Sequence, residues 1–85
     1  MKREEIQDEI LEILVMKMDL GIPMDLEEIN DDTNLESDMG LDSLDQIELV
    51  MECEREFDIA IDDADVENFQ TMGDVLDYSE ARLKG

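Results

Sequence analysis

Eighty-five residues suffice for one small domain with a single core, and leave no room for a core plus a deep catalytic cleft. With 27 Asp and Glu against 6 Lys and Arg, the formal charge is −21, which disfavours nucleic acid and anionic membrane and calls for partners rich in Lys and Arg. No histidine and one cysteine are present, which removes Ser-His and Cys-His nucleophile pairs, imidazole metal sites and internal disulfides.

Apolar residues make up 42% of the chain, but only three are aromatic, so the core is expected from Leu, Ile, Val and Met, with seven methionines as adaptable filler. The first segment, "REEIQDEILEILVMKM", sets Ile6, Ile10, Ile13 and Leu14 at helical spacing, with Leu11, Val15 and Met18 widening the stripe. Acids in its first turns and Lys17 near its end agree with the helix dipole. A long loop follows, in which Gly21 is a candidate helix stop, Pro23 blocks helix, and Leu26, Ile29 and Leu35 are expected to pin the segment to the core.

A second helix is predicted from Ser43 to Phe57. Taking Asp45 as zero, Leu49, Val50, Cys53 and Phe57 fall at roughly 40 to 140° and form a sufficient core face. Leu44, Ile47 and Met51 fall at roughly 200 to 260°, a second apolar patch that either meets a partner or packs under the long loop. Asp45, Glu48, Glu52 and Glu56 line one side of the helix, with Glu54 on the other side of the patch. Apolar residues bordered by carboxylates suit fast docking: charge orients a basic partner and the apolar centre supplies short-range adhesion. Cys53 reads as a small buried hydrophobe, since surrounding acids oppose a thiolate.

"DDADVENF" predicts a short third helix opened by an aspartate cap. "TMGDVLDYSEARLK" predicts a fourth, with Thr71 and Asp74 as an approximate capping box and Met72, Val75, Leu76 and Leu83 inward. The expectation is an all-α four-helix bundle with three longer helices, one short helix and a long loop after helix one, as a single domain of residues 1–85. Neither a signal peptide nor an apolar run of membrane-spanning length is present, so the expected location is cytoplasmic, without stable membrane insertion.

Ser43 has two readings. "SLDQ" spells a capping box with Gln46, which makes Ser43 the N-cap; Asp42 can also cap, which leaves the Ser43 hydroxyl free. A phosphate esterified there would sit in the favourable field of a helix N-terminus, but the chain holds no base to drive that reaction.

"DMGLDSLDQIELVMECEREFDIAI" closely resembles the serine-centred motif of acyl carrier proteins: a D-S-L core after an acidic residue, a hydrophobe and Gly, then an acidic helix ending in E-F. "TMGDVLDYSE" resembles their last helix, and the likeness covers nearly the whole chain, as expected of a freestanding bacterial or organellar carrier. The resemblance implies that the protein is not an enzyme and that Ser43 receives 4′-phosphopantetheine from coenzyme A through a magnesium-dependent phosphopantetheinyl transferase. Asp42, Leu44, Asp45, Ile47, Glu48, Met51 and Glu54 would face basic patches on acyl-transfer, condensing and reducing enzymes. Acyl groups would ride as thioesters, electrophilic because sulfur donates poorly into the carbonyl, in fatty-acid biosynthesis or a related pathway, on a monomeric carrier.

Cys53, Arg55 and Asp62 depart from the common pattern and admit a specialised carrier for polyketide, aminoacyl or lipid-modification chemistry. Two non-carrier readings stand beside it. An acidic calcium-binding protein would need an EF-hand loop, but around Gly40 the first, fifth and twelfth positions are Leu35, Met39 and Gln46, and around Gly73 they are Asn68, Met72 and Ser79. No metal ligand set is therefore expected. A charge mimic of nucleic acid fits the acidity but gives no reason for D-S-L at the mouth of the acidic helix.

Overall fold

The apolar period of the first segment forms α1, Arg3–Glu12, in a computed structural model that describes residues 2–84, the side chains of Asp63 and Lys84 excepted. Met1 and Gly85, the ends of the expected domain, lie outside the described residues. α1 buries Ile6, Ile10 and Leu11 and then widens into a π-helical turn, Ile13–Lys17, which keeps Ile13 and Leu14 in the core. The sequence does not announce this turn. It ends at Asp19 rather than at Gly21: Asp19 adopts φ 52°, and the Leu20 N–H reaches back to the Leu14 carbonyl at 3.0 Å, closing a Schellman-type end. Aspartate tolerates the left-handed conformation well enough to do what the glycine was expected to do.

The loop that follows contains a 3₁₀ turn, Leu26–Glu28. Ile29 and Leu35 are buried as expected, but Leu26 is 40% exposed and does not pin the loop. Leu26 opens the turn while Ile29, at its far end, carries the inward side chain; Thr33, Met39 and Leu41 complete the anchoring. Gly40, at φ 75°, supplies the one backbone reversal in this segment that strongly favours glycine, just before the chain enters the next helix.

α2 spans Ser43–Phe57, α3 spans Asp63–Val66 and α4 spans Met72–Lys84. The predicted core face of α2, Leu49, Val50, Cys53 and Phe57, is buried against Ile6, Ile10, Leu14, Met72 and Leu76 in one cluster. Tyr78 and Leu83 pack at its margin. Asp62 occupies the N-cap position of α3 without a side-chain capping bond, whereas Thr71 and Asp74 do form the expected box at α4. No strand is present among the described residues; Asn34 and Thr71 form an isolated bridge that ties the loop to the start of α4. Among the described residues the architecture is the expected all-α bundle of three longer helices and one short one.

Arg3 locks the bundle. Its guanidinium donates to Asp31 at 3.1 Å, to Asp77 at 2.8 Å and to Glu80, joining α1, the loop and α4, and these carboxylates, Glu80 foremost, raise its pKa further. The loop and α4 approach each other closely at Gly73, where a Cβ would lie 2.7 Å from the Asp31 carbonyl oxygen. No helix among the described residues is long and apolar enough to cross a membrane.

Candidate functional site

Asp42, not Ser43, caps α2. Asp42 is extended (φ −90°, ψ −176°), and its carboxylate accepts the Asp45 N–H at 2.8 Å while the Asp45 carboxylate accepts the Asp42 N–H at 3.2 Å. The capping box is therefore Asp42 with Asp45, and the box of Ser43 with Gln46 does not form. Ser43 becomes the first helical residue, exposed, with no partner for its hydroxyl among the described residues. The backbone N–H groups of Ser43 and Leu44 likewise have no protein acceptor among the described residues, and the next two amides are taken by Asp42.

Other hydroxyls are placed differently. Thr33 and Ser79 are buried, Thr71 caps α4, and Ser37 is exposed but lies in a loop turn. Ser43 thus combines an accessible hydroxyl with a free helix start, where two amides and the helix dipole favour an anion. These residues fit a phosphodiester.

The second apolar patch is open. Leu44 is 70% exposed and Ile47 and Met51 are 49% exposed, so the loop does not cover them. Of the acids around the patch, Glu48 is exposed and has no ion-pair partner among the described residues. Others are engaged: Glu54 accepts the Ile61 N–H at 3.2 Å, Glu52 pairs with Arg55 at 3.2 Å, and Glu56 pairs with Lys17 at 2.9 Å. Lys17 holds the Glu56 carboxyl below its ordinary range and is itself raised by it, while hydrogen bonding to Glu56 raises Glu9. Asp42, Asp45 and Glu54 therefore shape the site as well as charging it. Beneath the patch, Cys53 is buried, and burial followed by the charges of Glu52, Glu54 and Glu56 pushes its thiol up to about 12, which makes it inert at neutral pH.

Ser43 opens into a cleft of about 570 Å³ lined by Asn34, Gln46, Ile47, Val66, Phe69 and Gln70, among others. Ile47 and Val66 also line a second, neighbouring cleft of about 370 Å³ that includes Val50 and Met51. Together they form a groove between α2 and the α3 region: the Asn34, Gln46 and Gln70 amides and Glu36 line the part that holds Ser43, Val50, Met51 and Glu54 line the other part, and Glu67 lines both. The far wall, Val66, Phe69 and Gln70, was not anticipated from the sequence; the Val66 and Phe69 spacing in "DVENF" was the available signal.

The family described as "Phosphopantetheine attachment site" matches residues 8–79. An acyl carrier protein of Thermotoga maritima is 41% identical over 95% of this chain and 95% of its own length, and one of Chlorobium phaeovibrioides is 41% identical over 92% and 95%. The chain belongs to the acyl carrier protein family. In structure it is similar to an acyl carrier protein of Thermotoga maritima, with TM-score 0.86 and 26% identity over 99% of this chain and 93% of the other. An acyl carrier protein of Enterococcus faecalis gives TM-score 0.77 and 29% identity over 96% of this chain and 99% of the other. As an acyl carrier protein it is a carrier rather than a catalyst, and its covalent prosthetic group is 4′-phosphopantetheine.

Proposed function

We propose that Ser43 is the attachment residue and that this carrier, acting as a single cytoplasmic domain of residues 1–85 and as a monomer, delivers acyl intermediates to enzymes of fatty-acid biosynthesis. The observation that carries the proposal is the exposed Ser43 hydroxyl at the open start of α2, beside an uncovered apolar triad. When bound, the prosthetic group supplies a flexible arm ending in a thiol that holds acyl groups as thioesters.

The chain's own residues prepare the site. Asp42 fixes the helix start through its bond to the Asp45 N–H, which leaves the Ser43 hydroxyl to be presented to a separate transferase. The amides of Ser43 and Leu44 favour the phosphate, and Asn34, Gln46 and Gln70 offer hydrogen bonds to an amide-bearing arm along the cleft. Leu44, Ile47 and Met51 give partners an apolar hold, while Asp42, Asp45, Glu48 and Glu54 set the sign of the charge they must carry. The carrier has no histidine, so the bond-making steps belong to those partners.

The test is intact mass after incubation with coenzyme A, magnesium and a phosphopantetheinyl transferase. One phosphopantetheinyl group is expected on the wild type and none on Ser43→Ala. An equal gain on both proteins would move the attachment elsewhere.

A further inference from the structure

Among the described residues, two further large apolar side chains are exposed outside the α2 patch: Met16 at 74% and Leu26 at 40%. Both line a groove of about 510 Å³ between α1 and the Leu26–Glu28 turn, with Leu11 and Val15 also in its wall. The groove shares no lining residue with the clefts that adjoin Ser43 and Met51. Single exposed apolar residues are ordinary, but two beside one groove, floored by the buried Leu11 and the half-buried Val15, have the make-up of a contact surface.

The π-helical turn contributes to this arrangement. A π turn carries one more residue per backbone bond than an α turn and so re-aims the side chains around it. Ile13–Lys17 contains neither Gly nor Pro. Within these five residues Ile13 and Leu14 stay buried, Val15 is half-buried and Met16 stands in solvent. An unbranched, polarizable thioether in that position can mould itself to differently shaped guests.

The charge around the groove selects the occupant. Asp8, Glu12 and Glu27 line it, and among the described residues no Lys or Arg does. The nearest cations along the same helix are engaged elsewhere, Lys17 with Glu56 and Arg3 with Asp31, Asp77 and Glu80. A second copy of this chain would bring a net −21 and the same three carboxylates against it, and anionic lipid or nucleic acid would meet the same repulsion. A helix with leucine-like residues on one face and Lys or Arg flanking them meets both requirements.

We infer that the groove between α1 and the Leu26–Glu28 turn is a second docking surface, for a basic amphipathic helix of a partner protein. The helix inserts an apolar side chain between Met16 and Leu26 and pairs its cations with Asp8, Glu12 and Glu27. This surface does not depend on Ser43, so a protein held there leaves the serine and the α2 face accessible to an enzyme.

The probe is a synthetic helical peptide of Leu and Lys with its leucines along one face, titrated into the full chain and followed by amide NMR. Because such a peptide also suits the α2 patch, the titration is repeated in the Leu44→Ser/Met51→Ser background. There, binding is expected to persist, with shifts at Leu11, Val15, Met16 and Leu26. Adding Met16→Ser and Leu26→Ser is expected to weaken it about tenfold, and Asp8→Asn/Glu12→Gln/Glu27→Gln, which leaves the apolar groove intact, is expected to weaken it and flatten its salt dependence. Amide NMR dispersion of every variant checks that the fold is intact, and transferase loading of Ser43 in Met16→Ser/Leu26→Ser and Asp8→Asn/Glu12→Gln/Glu27→Gln, each made with the α2 patch unchanged, tests the attachment separately. Shifts confined to other surfaces, or an affinity indifferent to both sets of changes, overturn the inference. So does wild-type self-association that Met16→Ser abolishes, which would make the occupant a second copy.

Discussion

Asp42 and Asp45 at the start of α2 exchange the same two hydrogen bonds as Thr71 and Asp74 at the start of α4. At α4 the hydroxyl residue is the cap, and the next two amides, of Met72 and Gly73, donate to the loop carbonyls of Thr33 and Asp31 at 2.9 Å each. At α2 a carboxylate is the cap, the hydroxyl stands one residue further in, and the equivalent amides of Ser43 and Leu44 meet no protein acceptor among the described residues. One position of shift separates a helix start closed on its own loop from one left open to an anion. A cap that is itself a carboxylate leaves the Ser43 hydroxyl uncommitted among the described residues, as the proposed attachment requires.

The largest expected effect comes from removing what distinguishes the two starts. Ser43→Ala should abolish loading by intact mass while leaving thermal unfolding nearly unchanged, because the exposed hydroxyl holds nothing in the fold. A large fall in stability would show that Ser43 caps after all.

An alkaline titration asks whether the open start stands on a closed core. The fold favours the neutral Cys53 thiol, whose pKa rises from 9.0 to about 12. The stability this contributes is fully present below the unfolded value and is lost as the pH rises through the folded one. Relative to Cys53→Ala, urea unfolding should therefore show a loss approaching roughly 4 kcal/mol across that span. A parallel pH profile in the variant would mean that the thiol is not sealed.

The second helical positions of the two starts provide the next contrast. Gly73→Ala drives a Cβ to 2.7 Å from the Asp31 carbonyl oxygen and should cost about 1–3 kcal/mol. Leu44→Ala at the matching position of α2, 70% exposed, should stay within about 0.5 kcal/mol. Equal losses would erase the distinction between closed and open.

The smallest effects separate the caps. Asp42→Ala and Thr71→Ala should each cost about 1 kcal/mol in chemical denaturation, yet on the proposed reading only Asp42→Ala should slow transferase loading. Slowing by Thr71→Ala would point to a fold-wide cause rather than to presentation of Ser43.

Much of this was legible in the sequence, for reasons that can be named. The α2 boundaries, Ser43 and Phe57, follow from a three-to-four-residue apolar period, and the exposed triad of Leu44, Ile47 and Met51 follows from the same angles. The D-S-L motif singles out Ser43, the residue proposed for attachment. The identity of the cap did not follow, because Asp42 and Ser43 both carry suitable oxygens and the choice lies in the extended backbone of Asp42. Nor did the π turn, which no residue type in Ile13–Lys17 requires, or the outward side chain of Leu26, which depends on the direction of a three-residue turn. The enclosure of the Ser43 cleft is tertiary: Asn34 comes to line it together with Phe69 and Gln70 only once the loop and the start of α4 are bridged.

The chain contains no tryptophan and one tyrosine. Tyr78 packs edge-on to Phe69, ring centroids 5.5 Å apart, beneath the Arg82 guanidinium, and its hydroxyl accepts from Arg82 at 2.6 Å. Phe69 is also part of the wall beside Ser43. The protein therefore carries a built-in optical reporter: excited at the red edge of its absorption, it emits from a single ring whose neighbour borders the cleft. A guest entering there and moving Phe69 registers as a change in tyrosine emission, with no label attached.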